Sequence, residues 1–214
     1  MSKYVVFDLE MCFVPKSVKR SVYNCRNELI QIGAVVVDES LGITDKFMTY
    51  VSPVFGNVDA YIENLTGITR QNLSKAPKAK EALEMFFNWM PEDAVMVSWS
   101  ENDEYQIRKE TEAKGIVIDG LEEHLANWID CQKTFSQKMN NERSYKLSEA
   151  LILADIDYDE GEHDALVDAK NTAQLFIKME REPELTLNPY FTTCEEKLTY
   201  NPFAEFFAKY NLVS

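Results

Sequence analysis

Two carboxylates one residue apart stand inside an apolar stretch: Asp8 and Glu10 in KYVVFDLEMC, residues 3–12. An extended segment turns residues i and i+2 to the same side. Asp8 and Glu10 therefore share a face with Tyr4 and Val6, while Val5, Phe7 and Leu9 line the other. Neighbouring acids repel, and partial burial adds a desolvation cost. A divalent cation relieves both, and all-oxygen ligands favour Mg²⁺ or Mn²⁺ over zinc. The plain alternative is a solvated strand face carrying two ordinary surface acids.

Acids recur at two further places. In MVSWSENDEYQIRKE, residues 96–110, an apolar strand runs into a helix that begins near Asn102 and Asp103. Parallel strands carry ligand sites at their carboxyl ends, so Asp103 can project towards that edge from the first helical turn. Alternatively, Asn102 or Asp103 only caps the helix.

In EGEHDALVDAKNTAQLF, residues 160–176, His163 and Asp168 are five residues apart. That is about 140° around a helix, too far for both to point one way from inside it. The pattern places His163 in the loop and Asp164 at the N-cap. Ala165, Ala169, Thr172, Leu175, Phe176 and Met179 then face the sheet, with Asp168 on the edge of their arc. An acid there needs a partner; a surface histidine among acids is the alternative for His163. The run DIDYDEGEHDAL opens like a calcium loop, but Glu160 holds its sixth position, where glycine is needed, and Leu166 its twelfth, where glutamate is needed. It reads as a solvated loop.

The positioning elements follow from periodicity. Residues 4–11, 28–38 (ELIQIGAVVVD) and 45–53 (DKFMTYVSP) read as three strands in an antiparallel meander. A short helix in 58–69 ends near Gly67, and 78–90 carries a helical apolar stripe stopped by Pro91. Then come a strand (AVMVSW), a helix over 102–115 ending at Gly115, a short strand and helix in NWIDCQKTF, a short helix in YKLSEALILA, and a long helix over 164–180. Early strands followed by alternating helices and strands define an α/β fold with a mixed sheet.

The chain has 214 residues, 45% of them apolar, which suits one domain with an appendage: 1–182, then an aromatic-rich extension over 183–214. The extension is expected to pack on the domain or to form a homodimer contact. No apolar run approaches the roughly 20 residues that span a bilayer, and the N-terminus lacks the shape of a secretory signal. Cys12, Cys25, Cys131 and Cys194 form no CxxC pair and are expected to be free thiols in the cytoplasm. Net charge is −14, which argues against a purely electrostatic grip on long duplex nucleic acid. FVPKSVKRSVYNCRN, residues 13–27, is the exception. It carries Lys16, Lys19, Arg20 and Arg26 with no acid.

Taken in order, D-x-E, then D, then H-x4-D resembles the DEDDh (DnaQ-like) 3′–5′ exonucleases of the ribonuclease-H-like fold. FDLEMC, ELIQIGAVVVD, LTGIT, SWSENDEYQI, IDCQKTF and HDALVDAKNTA stand in that family's order across residues 4–180. Cys12, the Ser98–Trp99 pair and Asn171 resemble the subgroup of KapD-like and enhanced-RNAi exonucleases, which leans towards RNA. The first motif departs from the usual pattern, reading Leu-Glu-Met where Glu-Ala-Thr is commoner.

The resemblance implies a five-stranded mixed sheet flanked by helices. It also implies two Mg²⁺ or Mn²⁺ ions held by Asp8, Glu10, Asp103 and Asp168, with Asp8 bridging, and His163 as general base. The substrate would be a single-stranded RNA or DNA 3′ end, cut to nucleoside 5′-monophosphates. The backbone of Leu9 and Met11, with Leu65 and Thr66, would wall the terminal base and the 3′ hydroxyl, Trp99 would stack on a base, and Lys19 and Arg20 would guide phosphates. Glu28 would touch a metal-bound water or be a plain strand-edge acid. A DNA-proofreading module and a non-catalytic nucleic-acid-binding module are the alternatives; a binder has no use for the complete set of acids and histidine.

Overall fold

The computed structural model describes residues 3–192 apart from Glu160 and Glu162. β1 (Tyr4–Phe13), β2 (Asn27–Val37) and β3 (Ile43–Tyr50) form the expected antiparallel meander. Asp38 tightens the β2–β3 turn by accepting the N–H groups of Ser40 and Gly42. Three helices follow: α1 (Ala60–Thr66), α2 (Arg70–Leu73) and α3 (Ala79–Trp89). Asp59 caps α1, and Gly67 ends it in the left-handed conformation that favours glycine. β4 (Val95–Ser98) returns beside β1 in parallel and leads into α4 (Glu101–Lys114). After α5 (Leu121–Ala126), β5 (Ile129–Asp130) pairs in parallel with β4. α6 (Cys131–Lys138), α7 (Leu147–Leu153), α8 (Ala165–Arg181) and α9 (Pro189–Thr192) complete the described chain. The sheet order is β3-β2-β1-β4-β5, the mixed five-stranded architecture expected from the motifs.

Alternation along β1 divides the core. Val5, Phe7 and Leu9 pack with Leu83 and Phe86 of α3 on one side. Val6 packs with Leu175, Phe176 and Met179 of α8 on the other. Each ring or branched side chain so enclosed contributes about 1.5–3 kcal/mol. Asp8 and Glu10 continue the α8 side, so the acids lie where that layer gives way to a cleft. Among the described residues no helix is long and apolar enough to cross a membrane. Cys12, Cys25 and Cys131 are free thiols. Most of the extension over 183–214, with its expected packing or dimer contact, lies outside the described residues.

Candidate active site

The last residues of β1 meet the start of α8 because β2 makes room for it. Asp8 pairs across the ladder with Gly33, and Glu10 with Gln31. A Cβ at Gly33 would stand 2.2 Å from the Ala165 carbonyl carbon and the Leu166 nitrogen; only glycine lets the helix come so close. The buried Gln31 then fixes the helix end. Its Oε1 accepts from the Ala165 N–H (3.1 Å) and its Nε2 donates to Asp164 Oδ2 (3.3 Å). Asp164 is the N-cap, as its place in the sequence predicted, taking the N–H groups of Leu166 and Val167. One turn further on, Asp168 reaches Glu10.

His163 stands just outside the helix, exposed and with φ +69°. Its backbone N–H donates to Asp168 Oδ2 at 2.9 Å. Asn171, buried on α8, holds the preceding loop by exchanging two 3.1 Å hydrogen bonds with the backbone of Asp159. Glu10, His163 and Asp168 each present a possible ligand atom within 4.8 Å of the others.

Asp103 arrives from the opposite side. Ser100, not Asn102 or Asp103, caps α4, so Asp103 lies in the first turn and is buried. Ser98, at the end of β4, donates to the Ser100 carbonyl (2.7 Å) and accepts from Trp128 Nε1 (3.0 Å), which stiffens the strand-to-helix turn.

Bringing these acids together without a counter-charge is unfavourable, and their proton affinities record it. Burial, then Asp103, Glu10, Asp168 and Asp164, raise the Asp8 carboxyl well above the ordinary range. Burial followed by Asp168, Asp103 and Asp164 pushes Glu10 up to about 8. Burial raises Asp103 to about 7, although hydrogen bonds from the Leu9 and Asp103 backbones oppose the rise. Among the described residues no lysine or arginine forms an ion pair with Asp8, Glu10 or Asp103. Hard oxygen donors that lack a protein cation fit a divalent metal.

The acids and His163 line a cleft of about 520 Å³. Leu9, Met11 and Trp99 line it too, and Trp99 also packs against Phe135. Asn171 lies in the wall as well, with Tyr145 and Lys146; sequence reading passed over the last two because no periodic signal marks a residue at the mouth of a short helix. Four expected contacts lie elsewhere. Leu65 is on the exposed surface of α1, and the Thr66 hydroxyl is used locally, donating to the Ile62 carbonyl and accepting from the Ile68 N–H. Lys19 and Arg20 are exposed on the 14–26 loop, outside the cleft wall.

Glu28 fulfils neither expected role. It is fully buried, ion-paired to Lys114 at 2.6 Å, and accepts the N–H groups of Val54, Phe55 and Gly56. The reason is a β-bulge: Glu10 pairs with Gln31 but Met11 with Leu29, so Ile30 is extra and the strand is rephased.

The mixed five-stranded sheet thus sets four acids and a histidine around one cleft beside its central strands. The chain matches the Exonuclease (RNase_T) family over residues 5–176, and it belongs to that family. Among its relatives is a PolC-type DNA polymerase III of Caldanaerobacter subterraneus subsp. tengcongensis, 29% identical over 83% of this chain and 11% of that protein. ERI1 exoribonuclease 2 of Danio rerio is 28% identical over 71% of this chain and 31% of its own. The DNA polymerase III subunit epsilon of Aquifex aeolicus is 31% identical over 72% of both chains. The chain thus spans a third or less of the length of the first two relatives. The nuclease domain of 3′hExo, a DEDDh family member bound to rAMP, shares the fold with a TM-score of 0.71 at 21% identity, covering 87% of this chain and 96% of that one.

Proposed function

We propose that the chain is a metal-dependent 3′–5′ exonuclease that trims single-stranded nucleic acid, RNA in preference to DNA, to nucleoside 5′-monophosphates. The observation that carries this reading is the convergence of Asp8, Glu10, Asp103 and Asp168 on one cleft with His163 at its mouth. Asp8, Glu10, Asp103 and Asp168 would hold two Mg²⁺ or Mn²⁺ ions. When bound, such ions neutralise charge growing on the scissile phosphate and on the leaving 3′ oxygen.

The chain's own residues supply the rest. His163 takes the proton from the attacking water as the new O–P bond forms and the P–O3′ bond breaks. Its backbone bond to Asp168 keeps the base beside the ligand set. The backbone of Leu9 and Met11 borders the place of the terminal nucleotide, and Trp99 offers it an aromatic surface. Lys19 and Arg20, on a loop with no acid, guide the approaching phosphates from outside the cleft. The likeness to ERI1 exoribonuclease 2 inclines the reading to RNA. The likeness to subunit epsilon favours a second reading, DNA proofreading.

The test uses 5′-labelled single-stranded RNA and DNA of one sequence with Mn²⁺. Stepwise shortening by the wild type, lost in Asp8→Ala and His163→Ala, is expected, with RNA cut faster. Equal products from all three proteins would remove the site assignment, and faster cutting of DNA would favour the proofreading role.

A further inference from the structure

The helix that carries Asp103 is docked by polar groups. α4 turns Asp103, Gln106, Glu110 and Lys114 to the same side, at spacings of three and four residues. Ile107 is its only buried apolar side chain. Gln106 Nε2 donates to the Asn27 carbonyl (3.2 Å) and to Glu110 Oε2 (2.7 Å). Glu110 Oε2 also accepts the Leu29 N–H at 2.9 Å. Lys114 Nζ joins Glu110 and Glu28, each at 2.6 Å. Glu28 in turn gathers the backbone of 54–56.

Apolar contacts tolerate sliding, whereas hydrogen bonds fix distance and direction. Seven residues separate Asp103 from Glu110, two turns or about 10 Å of helix. Any slip of the helix at Glu110 is therefore transmitted along a rigid rod to the carboxyl of Asp103. Burying two acids with one lysine is a poor way to gain stability, since well-packed apolar replacements are often as stable or more so. The arrangement is better suited to setting position.

We infer that Glu110 and Lys114, anchored by Glu28, are positioning residues that set the axial register of α4 and so place Asp103 for metal binding. This rests on the reading of Asp103 as a metal ligand. Groups that orient metal ligands from behind typically change metal affinity 10–100-fold when removed.

The experiment measures Mn²⁺ binding to the full chain by electron paramagnetic resonance, with melting temperature, kcat and KM alongside. The variants are Asp103→Asn, Glu110→Gln and the double variant Glu110→Leu/Lys114→Met. The double variant is expected to melt below the wild type, because buried Glu28 loses its cation, and, assayed well below its melting temperature, to bind Mn²⁺ about tenfold more weakly, with kcat lowered and oligonucleotide KM unchanged. Glu110→Gln keeps the shape and the Leu29 hydrogen bond and is expected to recover most of the affinity. Wild-type Mn²⁺ affinity in the double variant, with Asp103→Asn impaired, would overturn the positioning role alone. Undiminished binding by Asp103→Asn would overturn the ligand assignment and this inference together.

Discussion

Without divalent cations the protein should lose stability as pH rises from 6 to 8. Glu10 has an ordinary value of 4.5 and is pushed up to about 8 by burial and by Asp168, Asp103 and Asp164. Between those values the folded chain holds a proton that the unfolded chain has released, so raising the pH favours unfolding. A shift of about 3.5 units corresponds to about 5 kcal/mol at full ionisation, and the part lost between pH 6 and 8 is about 2 kcal/mol. For a domain of this size that lowers the melting temperature by about 4–8 °C. Asp8 and Asp103 are raised as well and act in the same direction. Calorimetry in EDTA at pH 6, 7 and 8 reads the slope directly. Saturating Mn²⁺ should abolish it, because the cation replaces the protons, and Glu10→Gln should flatten it. A melting temperature in EDTA that is constant or rises from pH 6 to 8 would refute the reasoning, because the four acids would then not be enclosed together.

Two substitutions test how the site is held and fed. Gly33→Ala should cost about 1–3 kcal/mol by overpacking and depress activity beyond that loss, because the new methyl collides with the Ala165 backbone and displaces Asp168; wild-type turnover and stability would show that α8 adjusts freely. Lys19→Ala/Arg20→Ala should raise KM with little change in kcat. It should also reduce the slope of log affinity against log salt by about 1.4 if both residues meet phosphates; an unchanged slope would make the loop an ordinary solvated surface.

The acids that line the cleft were legible as candidates because each stands out from its local pattern. Asp8 and Glu10 interrupt an apolar strand at the period of its α8 face, and Asp168 sits on the inner edge of a helix whose cap, Asp164, announces itself. The five strands and the major helices followed from periodicity, with ends displaced by a few residues. α5 escaped notice because six residues carry too little pattern, and α2 because four carry less. Glu28 was misread for a different reason. An alternating pattern cannot reveal a single-residue bulge, and the bulge at Ile30 decides which way Glu28 points. The roles of Gln31 and Gly33 were equally hidden, since a glutamine and a glycine in a strand declare nothing until a helix is seen resting on them.

β2 supplies no ligand, yet it is the common datum from which both outlying acids are measured. Gln31 and Gly33 set the height of α8, and Leu29 and Glu28 set that of α4 through Glu110 and Lys114. The single extra residue at Ile30 lets one strand serve two helices packed in different directions. Deleting it would throw the two halves of the cleft out of phase with each other while leaving every chemically active side chain in the sequence. Loss of function in this fold can therefore originate in a silent strand, and an inventory of intact acids is no guarantee of a working centre.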